Sequence, residues 1–219
     1  MFLAMARYVN SRPIALFGGS FNPVHFGHLR IATELAELLQ VECIRMMPCA
    51  LAPKLGAATA SQRLEMVQLA INEQVMVQAD DIELKMPAPS YSVDTVRLVR
   101  EQMDAETPLF LCIGMDALNG LDKWHDWQQI LDYCHIVVSS RPGWSCPETG
   151  SLGDWISTHR CDDLAVLKER VRGKLYFCEL TMLAISSTSI RKKIQIGETI
   201  RFLTPDSVVS YIQQQHLYE

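Results

Sequence analysis

The chain alternates between short apolar runs and longer stretches in which apolar residues recur every three or four positions. Segments that the sequence predicts as strands, most of them mainly apolar, cover residues 14–17, 42–47, 75–79, 82–84, 109–113, 135–139 and 175–178. Helical spacing covers residues 29–39, 61–71 and 92–103, with serine caps on the last two, and Thr204-Pro205-Asp206 opens a final helix. The alternation predicts an α/β fold, with a single doubly wound, mostly parallel sheet and helices on both faces.

One segment departs from this pattern. Residues 144–161 are rich in Gly, Ser, Pro and Thr, which favours an insertion or a flexible segment around residues 144–170. The length of 219 residues still fits one unit, because α/β domains often reach this size. We therefore expect a single domain over residues 1–219.

Composition and charge argue against several classes of protein. Hydrophobic residues make up 48% of the chain, but no apolar run approaches the roughly 18 residues of a membrane span, so we expect a cytoplasmic protein with no membrane partner. The net charge of −5 argues against a nucleic-acid partner. The seven cysteines form no Cys-x-x-Cys pair, which argues against a disulfide framework, a zinc cluster or a redox site and predicts mostly buried, reduced thiols.

The most informative segment lies between the first predicted strand and the first predicted helix. Residues 18–28 read GGSFNPVHFGH. The glycines allow a sharp turn and a close approach of the backbone to a ligand. A helix N-terminus behind such a turn offers free N–H groups and the positive end of the helix dipole, both of which suit phosphate. The segment is neither a P-loop nor a dinucleotide fingerprint, so it predicts a phosphate site of another kind.

Two histidines add side-chain donors to this turn. His25 and His28 are three residues apart and therefore share one helix face, so a pair of capping residues or of metal ligands is the alternative. No third ligand stands nearby in the sequence. Contact with phosphate is the favoured interpretation.

This segment resembles the first strand-helix turn of the HxGH nucleotidyltransferases, the superfamily of adenylyl- and cytidylyltransferases. A second element of the superfamily is present as ISSTSIR at residues 185–191. The resemblance implies a Rossmann-like nucleotidyltransferase fold. It implies that ATP is bound by Gly18, Gly19, Ser20, Phe21, Gly114, Ser187 and Thr188. It also implies that His25, His28 and Arg191 act on the phosphates, with Arg191 pairing with the β and γ phosphates.

The residues between these two elements are similar to one family, the bacterial-type nicotinate mononucleotide adenylyltransferases. The similar segments are S-x-R-x-x-M at 61–66, PSYS at 89–92 with Thr95, IGMD at 113–116, L-x-x-W-x-x-W at 121–127, RPG at 141–143, YI at 211–212 and LY at 217–218. The resemblance implies that the protein transfers the adenylyl group of ATP to nicotinate mononucleotide, giving deamido-NAD and pyrophosphate in NAD biosynthesis.

The resemblance also implies a mononucleotide site. Trp124 would stack on the pyridine ring, with core packing as its alternative role, whereas Trp127 is expected in the core. Asp116 would accept hydrogen bonds from ribose hydroxyls.

The remaining candidates lie around the nicotinate carboxylate. Backbone amides near Tyr91 and His125 would hold that carboxylate and so distinguish the acid from the amide. Ser90 and Thr95 complete the predicted set, with turn formation and helix capping as their alternative roles.

The chain departs from the family pattern in two places. Ser20 and Asn22 stand where the family often has Thr and Asp. The sequence LAPKL at 51–55 stands where the family often has Pro-Pro-His-Lys/Arg, so the loop histidine is missing. Lys54 can still supply positive charge to phosphate and completes the catalytic candidates.

The implied mechanism depends on position and charge. The acceptor phosphate is already ionised at neutral pH, because its second pKa is ~6, so no side chain needs to remove a proton. Its attack on the α-phosphorus of ATP would expel pyrophosphate, with Mg²⁺ carried by ATP. Two alternatives stay open: transfer to another acceptor, such as nicotinamide mononucleotide, phosphopantetheine or a sugar phosphate, and a non-catalytic nucleotide-binding protein.

Overall fold

Six parallel strands form one sheet at the centre of the computed structural model, which describes residues 12–50, 58–72, 74–140 and 146–219. Along the sheet the strands stand in the order β3-β2-β1-β4-β5-β6. Their bounds are Ile14–Gly19 (β1), Cys43–Pro48 (β2), Val77–Ala79 (β3), Leu109–Gly114 (β4), His135–Ser140 (β5) and Leu175–Glu179 (β6). The predicted doubly wound parallel sheet is confirmed.

Helices connect successive strands and cover both faces of this sheet. The α-helices are Phe26–Leu39 (α1), Ala60–Ala70 (α2), Ile82–Lys85 (α3), Ser92–Gln102 (α4), Met115–Leu118 (α5), Gly150–His159 (α6), Leu164–Glu169 (α7), Ser187–Gln195 (α8) and Asp206–Gln214 (α9). Two short 3-10 helices, Leu121–Lys123 and Trp127–Asp132, lie between α5 and β5. None of the described helices combines the length and the apolar character that a membrane span requires.

The order of the strands reverses beside β1. This strand pairs with β2 on one side and with β4 on the other, with Phe17 opposite Cys112. The chain moves outward from β1 in one direction through β3 and then returns to add β4. Open α/β sheets bind ligands outside the carboxyl ends of the strands at such a switch point. The glycine turn after β1 and Gly114 at the end of β4 both lie at this place.

Apolar side chains from each strand pack on both faces of the sheet. In β1, Ala15 and Phe17 enter the core that packs against α1, while Ile14 and Leu16 enter the core on the opposite face. This arrangement explains why the strands appear in the sequence as continuous apolar runs and not as alternating ones. Four cysteines are buried as free thiols in these cores: Cys43, Cys112, Cys134 and Cys178.

Residues 82–84 form a helix and not the predicted strand. Asp80 follows β3, and its Oδ1 accepts a hydrogen bond of 2.9 Å from the Ile82 N–H, which begins the turn into α3. Only Ile82 of this helix is buried. Three residues, with apolar side chains only at Ile82 and Leu84, are too few for periodicity to separate a strand from a helix.

The segment predicted as an insertion or a flexible segment contains helices where the structure describes it. Residues 146–170 contain α6 and α7, which form the crossover from β5 to β6. Leu152, Trp155 and Ile156 of α6 are buried in the core. The small polar residues of this segment therefore surround an ordinary core helix. The RPG segment at 141–143 lies outside the described residues.

Three predicted helix caps are corrected. Thr59, not Ser61, caps α2, because its Oγ1 accepts from the Gln62 N–H at 3.2 Å. Tyr91 occupies the N-cap position of α4, and Ser92 is its first residue. Thr204 does not cap α9; its hydroxyl donates to the Val24 carbonyl at 2.8 Å.

Candidate active site

The glycine turn at the end of β1 is shaped by the ring of Phe21. This ring is buried and packs edge-on against Phe17, with centroids 5.7 Å apart. A Cβ on Gly19 would lie 2.9 Å from the Phe21 ring, whereas a Cβ on Gly18 would meet nothing within 4 Å. Gly19 therefore makes room for the ring, and Gly18 leaves the backbone open toward a ligand.

His25 and His28 lie together at the start of α1. His25 occupies the N-cap position of this helix, and the backbone N–H of His25 donates to Nδ1 of His28 at 3.3 Å. A backbone N–H can only donate, so Nδ1 is the acceptor and the proton of a neutral His28 ring is on Nε2. The Phe21 ring meets the His28 ring edge-on at 5.0 Å. The geometry therefore presents an Nε2–H donor in a fixed orientation.

Burial keeps both imidazoles neutral. Desolvation lowers the pKa of His25 to about 4 and lowers the pKa of His28 well below its ordinary value, with the neighbouring His25 adding to the second shift. The Nδ1 atom of His25 is buried and has no hydrogen-bond partner within the described part of the chain. Neutral rings still donate N–H groups to phosphate, and a bound polyanion would favour their protonation.

The second motif packs directly on this turn. Ser186 caps α8 through a 3.1 Å hydrogen bond that its Oγ accepts from the Ser189 N–H. The Ser187 hydroxyl donates to the Pro23 carbonyl at 2.9 Å. The start of α8 is therefore attached to the loop that precedes His25.

Arg191 lies one turn further along α8 and bridges the same two segments. Its Nη1 donates to the Asn22 carbonyl at 2.6 Å, and its Nη2 donates to the Thr188 hydroxyl at 3.2 Å. Two motifs that are distant in the sequence thus meet around residues 22–25. This meeting brings two histidines, one arginine and two helix N-termini to one place.

A cavity of about 570 Å³ opens beside the turn, between the carboxyl ends of β1 and β4. Seven predicted site residues line it: Gly18, Gly19, Ser20, Ser90, Thr95, Gly114 and Trp124. The histidine pair, Ser187, Thr188 and Arg191 are not among its lining residues and adjoin it through the turn. The predicted residues therefore form two neighbouring groups, one rich in phosphate donors and one lined by apolar surface and Trp124.

Three predicted acceptor residues lie at the margin of the cavity and not in its lining. Asp116 is exposed, between Gly114 and Ala117, which both line the cavity. Tyr91 and His125 are exposed, and their rings contact each other with centroids 4.3 Å apart. Lys54 lies outside the described residues, in the gap at 51–57.

Arg63 organises the site, although the sequence indicated it only as part of the family-like segment at 61–66 and assigned it no contact. Arg63 is 1% exposed, and its guanidinium donates to four carbonyls: Ser20 at 2.9 Å, Cys49 at 2.6 Å, Ala50 at 3.5 Å and Ala58 at 3.3 Å. These carbonyls belong to the glycine turn, the end of β2 and the start of α2. An arginine fork suits this task because its donors have fixed directions. The sequence signal for Arg63 was its place in the S-x-R-x-x-M segment at 61–66.

Glu83 is a second residue that the sequence did not indicate. Its carboxylate lines the cavity, and the Thr95 hydroxyl lies 3.5 Å from Oε1. Burial raises the pKa of Glu83, and the nearby Arg63 acts in the opposite direction. Because residues 82–84 were predicted as a strand, the position of Glu83 at the carboxyl end of the sheet was not foreseen.

Comparisons with known proteins agree with this geometry. The family model for cytidylyltransferase-like proteins matches residues 16–193. A protein of Psychromonas ingrahamii named "Probable nicotinate-nucleotide adenylyltransferase" is 43% identical over 96% of this chain and 99% of its own length. A protein of the same name from Pseudomonas aeruginosa is 41% identical over 94% of this chain and 96% of its own length.

Solved structures share the fold. The nicotinic acid mononucleotide adenylyltransferase of Plasmodium falciparum, complexed with NaAD, superposes with a TM-score of 0.69 at 18% identity, over 94% of this chain and 97% of that one. With the near full-length identity above 40%, the chain belongs to the cytidylyltransferase-like family and, within it, to the nicotinate-nucleotide adenylyltransferases.

Proposed function

We propose that this protein transfers the adenylyl group of ATP to nicotinate mononucleotide, giving deamido-NAD and pyrophosphate. The observation that carries the proposal is the junction of the two motifs, where Arg191 donates to the Asn22 carbonyl three residues before the stacked pair His25 and His28. Such a concentration of donors beside a cavity suits a triphosphate next to a second substrate. The names of the relatives support nicotinate mononucleotide as that substrate.

The two groups of residues suit the two substrates. The phosphates of ATP would lie against the turn at residues 18–22, the histidines and the N-termini of α1 and α8. The mononucleotide would enter the cavity, whose volume of about 570 Å³ fits a small-molecule site. Trp124 offers an aromatic face there for the cationic pyridine ring, and Thr95 and Ser90 lie on the same lining.

The chemistry requires no general base from the chain. The mononucleotide phosphate is ionised near neutral pH, so its oxygen can attack the α-phosphorus directly while the bond to pyrophosphate breaks. What the protein supplies is the alignment of the two substrates and stabilisation of the negative charge that spreads over the phosphate oxygens. His28 Nε2–H, Arg191 and the helix N-termini are the described donors for this purpose.

Mg²⁺ is proposed to enter together with ATP. Within the described ranges, no group of three or more His, Cys, Asp or Glu side chains could hold a metal ion. Mg²⁺ commonly keeps several waters and binds through substrate phosphates, so this donor set fits a metal delivered by the nucleotide. When bound, the ion would neutralise part of the phosphate charge.

Several expectations stay predictions. They are the contribution of Lys54, the contacts of Asp116 and His125 with the mononucleotide, a single domain over residues 1–219, and a cytoplasmic location without nucleic-acid or membrane partners. The exposed position of Asp116 at the margin of the cavity suits a contact with a ribose that extends outward.

The first experiment measures pyrophosphate release and dinucleotide formation with ATP, Mg²⁺ and one acceptor at a time. Nicotinate mononucleotide, nicotinamide mononucleotide and phosphopantetheine are compared, with His28→Ala as the inactive control. Turnover with nicotinate mononucleotide alone supports the proposal. A preference for either other acceptor contradicts the proposed substrate, and ATP binding without turnover supports a non-catalytic role.

A further inference from the structure

The side chain of Asn22 joins the phosphate-binding turn to a distant part of the chain. Asn22 is 3% exposed, and its Oδ1 accepts two hydrogen bonds, from the Tyr218 hydroxyl at 2.7 Å and from the Ala58 N–H at 3.3 Å. Tyr218 follows α9 and is itself buried. Arg191 therefore donates to the backbone carbonyl of Asn22, and Tyr218 holds the side chain of the same residue.

Two further contacts bring the same part of the chain to the turn. The Thr204 hydroxyl donates to the Val24 carbonyl at 2.8 Å, and the Phe26 N–H donates to the Leu203 carbonyl at 3.1 Å. These bonds attach the turn on both sides of His25. The bond from Tyr218 differs from them because it acts on the residue that Arg191 contacts.

The chemistry of this contact is specific for a protonated phenol. Burial raises the pKa of Tyr218, while the charges of Arg191 and Arg63 act in the opposite direction. The hydroxyl keeps its proton and donates throughout the neutral range. Both partners of Asn22 Oδ1 are donors, so an aspartate carboxylate at this position would accept the same two bonds.

We propose that Tyr218 is a positioning residue for adenylyl transfer: its hydroxyl orients Asn22, and Asn22 holds Arg191 toward the triphosphate. The inference rests on the proposed function. Tyr218 does not touch the cavity, so its effect reaches the reaction only through the turn. Loss of the hydroxyl leaves Asn22 with one donor and lets its carbonyl move away from the guanidinium.

Tyr218→Phe removes this hydroxyl with little change in volume. Because Arg191 acts on the phosphates, we expect kcat to fall roughly fivefold to tenfold and the affinity for ATP to weaken, with the KM for the mononucleotide unchanged. Asn22→Asp keeps an oxygen that accepts both hydrogen bonds. In that variant, Tyr218→Phe should therefore still lower kcat.

Tyr211→Phe is the matched control. The Tyr211 hydroxyl is equally a hydrogen-bond donor, to Glu65 Oε2 at 2.8 Å, and Tyr211 is buried to the same extent, at 8% exposure against 7% for Tyr218. Its bond joins α9 to α2. If the role of Tyr218 is purely structural, Tyr218→Phe and Tyr211→Phe should show the same kinetics. The proposal instead predicts that Tyr211→Phe lowers the free energy of unfolding and leaves kcat unchanged.

The test combines steady-state kinetics with a double-mutant cycle. If Tyr218 acts through Asn22, the double variant with Asn22→Ala should be no slower than Asn22→Ala alone, because the two changes remove one interaction. Additive losses, or equal kinetics for Tyr218→Phe and Tyr211→Phe, would overturn the inference.

Binding of a non-hydrolysable ATP analogue, measured by calorimetry, makes the same comparison without turnover. Weaker binding in Tyr218→Phe than in Tyr211→Phe supports the inference even if the acceptor is not nicotinate mononucleotide. Equal affinities contradict it. A wild-type protein that binds the analogue but releases no pyrophosphate contradicts only the proposed function.

Discussion

The imidazole rings of His25 and His28 are stacked, with centroids 3.7 Å apart and planes inclined by 22°. The two rings are not equivalent. His28 Nδ1 accepts from the His25 backbone N–H, which places its proton on Nε2, whereas His25 Nδ1 is buried and has no hydrogen-bond partner among the residues that the structure describes. One histidine therefore presents a donor in a fixed orientation, and the ring of the other is not fixed by a described hydrogen bond at Nδ1.

The first prediction concerns the atom of His28 that meets phosphate. A glutamine amide nitrogen reaches about as far as Nε2, while an asparagine amide nitrogen reaches only as far as Nδ1. We expect His28→Asn to lose roughly 100-fold or more in kcat, and His28→Gln to retain at least several times the activity of His28→Asn. Single-turnover rates at saturating ATP would measure this difference, and equal losses in the two variants would contradict the assignment of Nε2–H as the donor.

The second prediction concerns stability at low pH. The pKa of His25 is about 4 in the folded protein and 6.5 as its ordinary value, so between these values the unfolded chain binds more protons. The free energy of unfolding should therefore decrease as the pH falls from 6.5 toward 4, and it should be insensitive to this group above that window. His135, whose pKa burial also lowers to about 4, contributes a slope of the same sign.

Urea unfolding at several pH values between 4.5 and 7.5 would measure the slope. His25→Asn should make the slope shallower, and His135→Asn should do so independently, because His25 caps α1 and His135 begins β5, and no described hydrogen bond joins the two residues. An unchanged slope in His25→Asn would show that this imidazole is not buried in the neutral form.

The third prediction separates two glycines. A Cβ on Gly27 would lie 3.0 Å from both Cε1 and Nδ1 of His25, so Gly27→Ala must displace that ring. We expect kcat to fall roughly tenfold or more. A Cβ on Gly18 meets nothing within 4 Å, so Gly18→Ala should leave the midpoint of thermal unfolding unchanged. Gly18 lines the cavity, so the added methyl group should raise the KM for the mononucleotide that is proposed to bind there. Kinetics and thermal unfolding of both variants would check this, and a loss of stability in Gly18→Ala would contradict it.

The fourth prediction separates two tryptophans that are three residues apart. Trp124 lines the cavity, whereas Trp127 packs edge-on against Trp155 with centroids 4.9 Å apart. Trp124→Ala should raise the KM for nicotinate mononucleotide roughly tenfold, because a stacking contact on a flat ring contributes about 1–3 kcal/mol. Trp127→Ala should lower the unfolding midpoint and leave that KM nearly unchanged. The reverse pattern would assign the ring-stacking role to Trp127.

The sequence was informative wherever the signal was local. The turn at residues 18–28 could be predicted because glycines and apolar runs act over a few neighbouring positions. Local periodicity was not sufficient for residues 82–84, where the Asp80 side chain begins a helical turn, or for 146–170, where small polar residues surround α6. In the second place the burial of Leu152, Trp155 and Ile156 in the core, and not local propensity, decided the structure.

The sequence by itself determined the alternation of strands and helices around a parallel sheet, because that follows from residue types at short spacing, and its two motifs at 18–28 and 185–191 carried the resemblance to the family. Only the tertiary structure decided that Arg63 joins three loops, that Arg191 meets the Asn22 carbonyl, and that the Tyr218 hydroxyl reaches Asn22 Oδ1. The physical reason is that a buried polar group must find a partner, and the parallel sheet brings the loops that supply these partners to one edge, however far apart they lie in the chain.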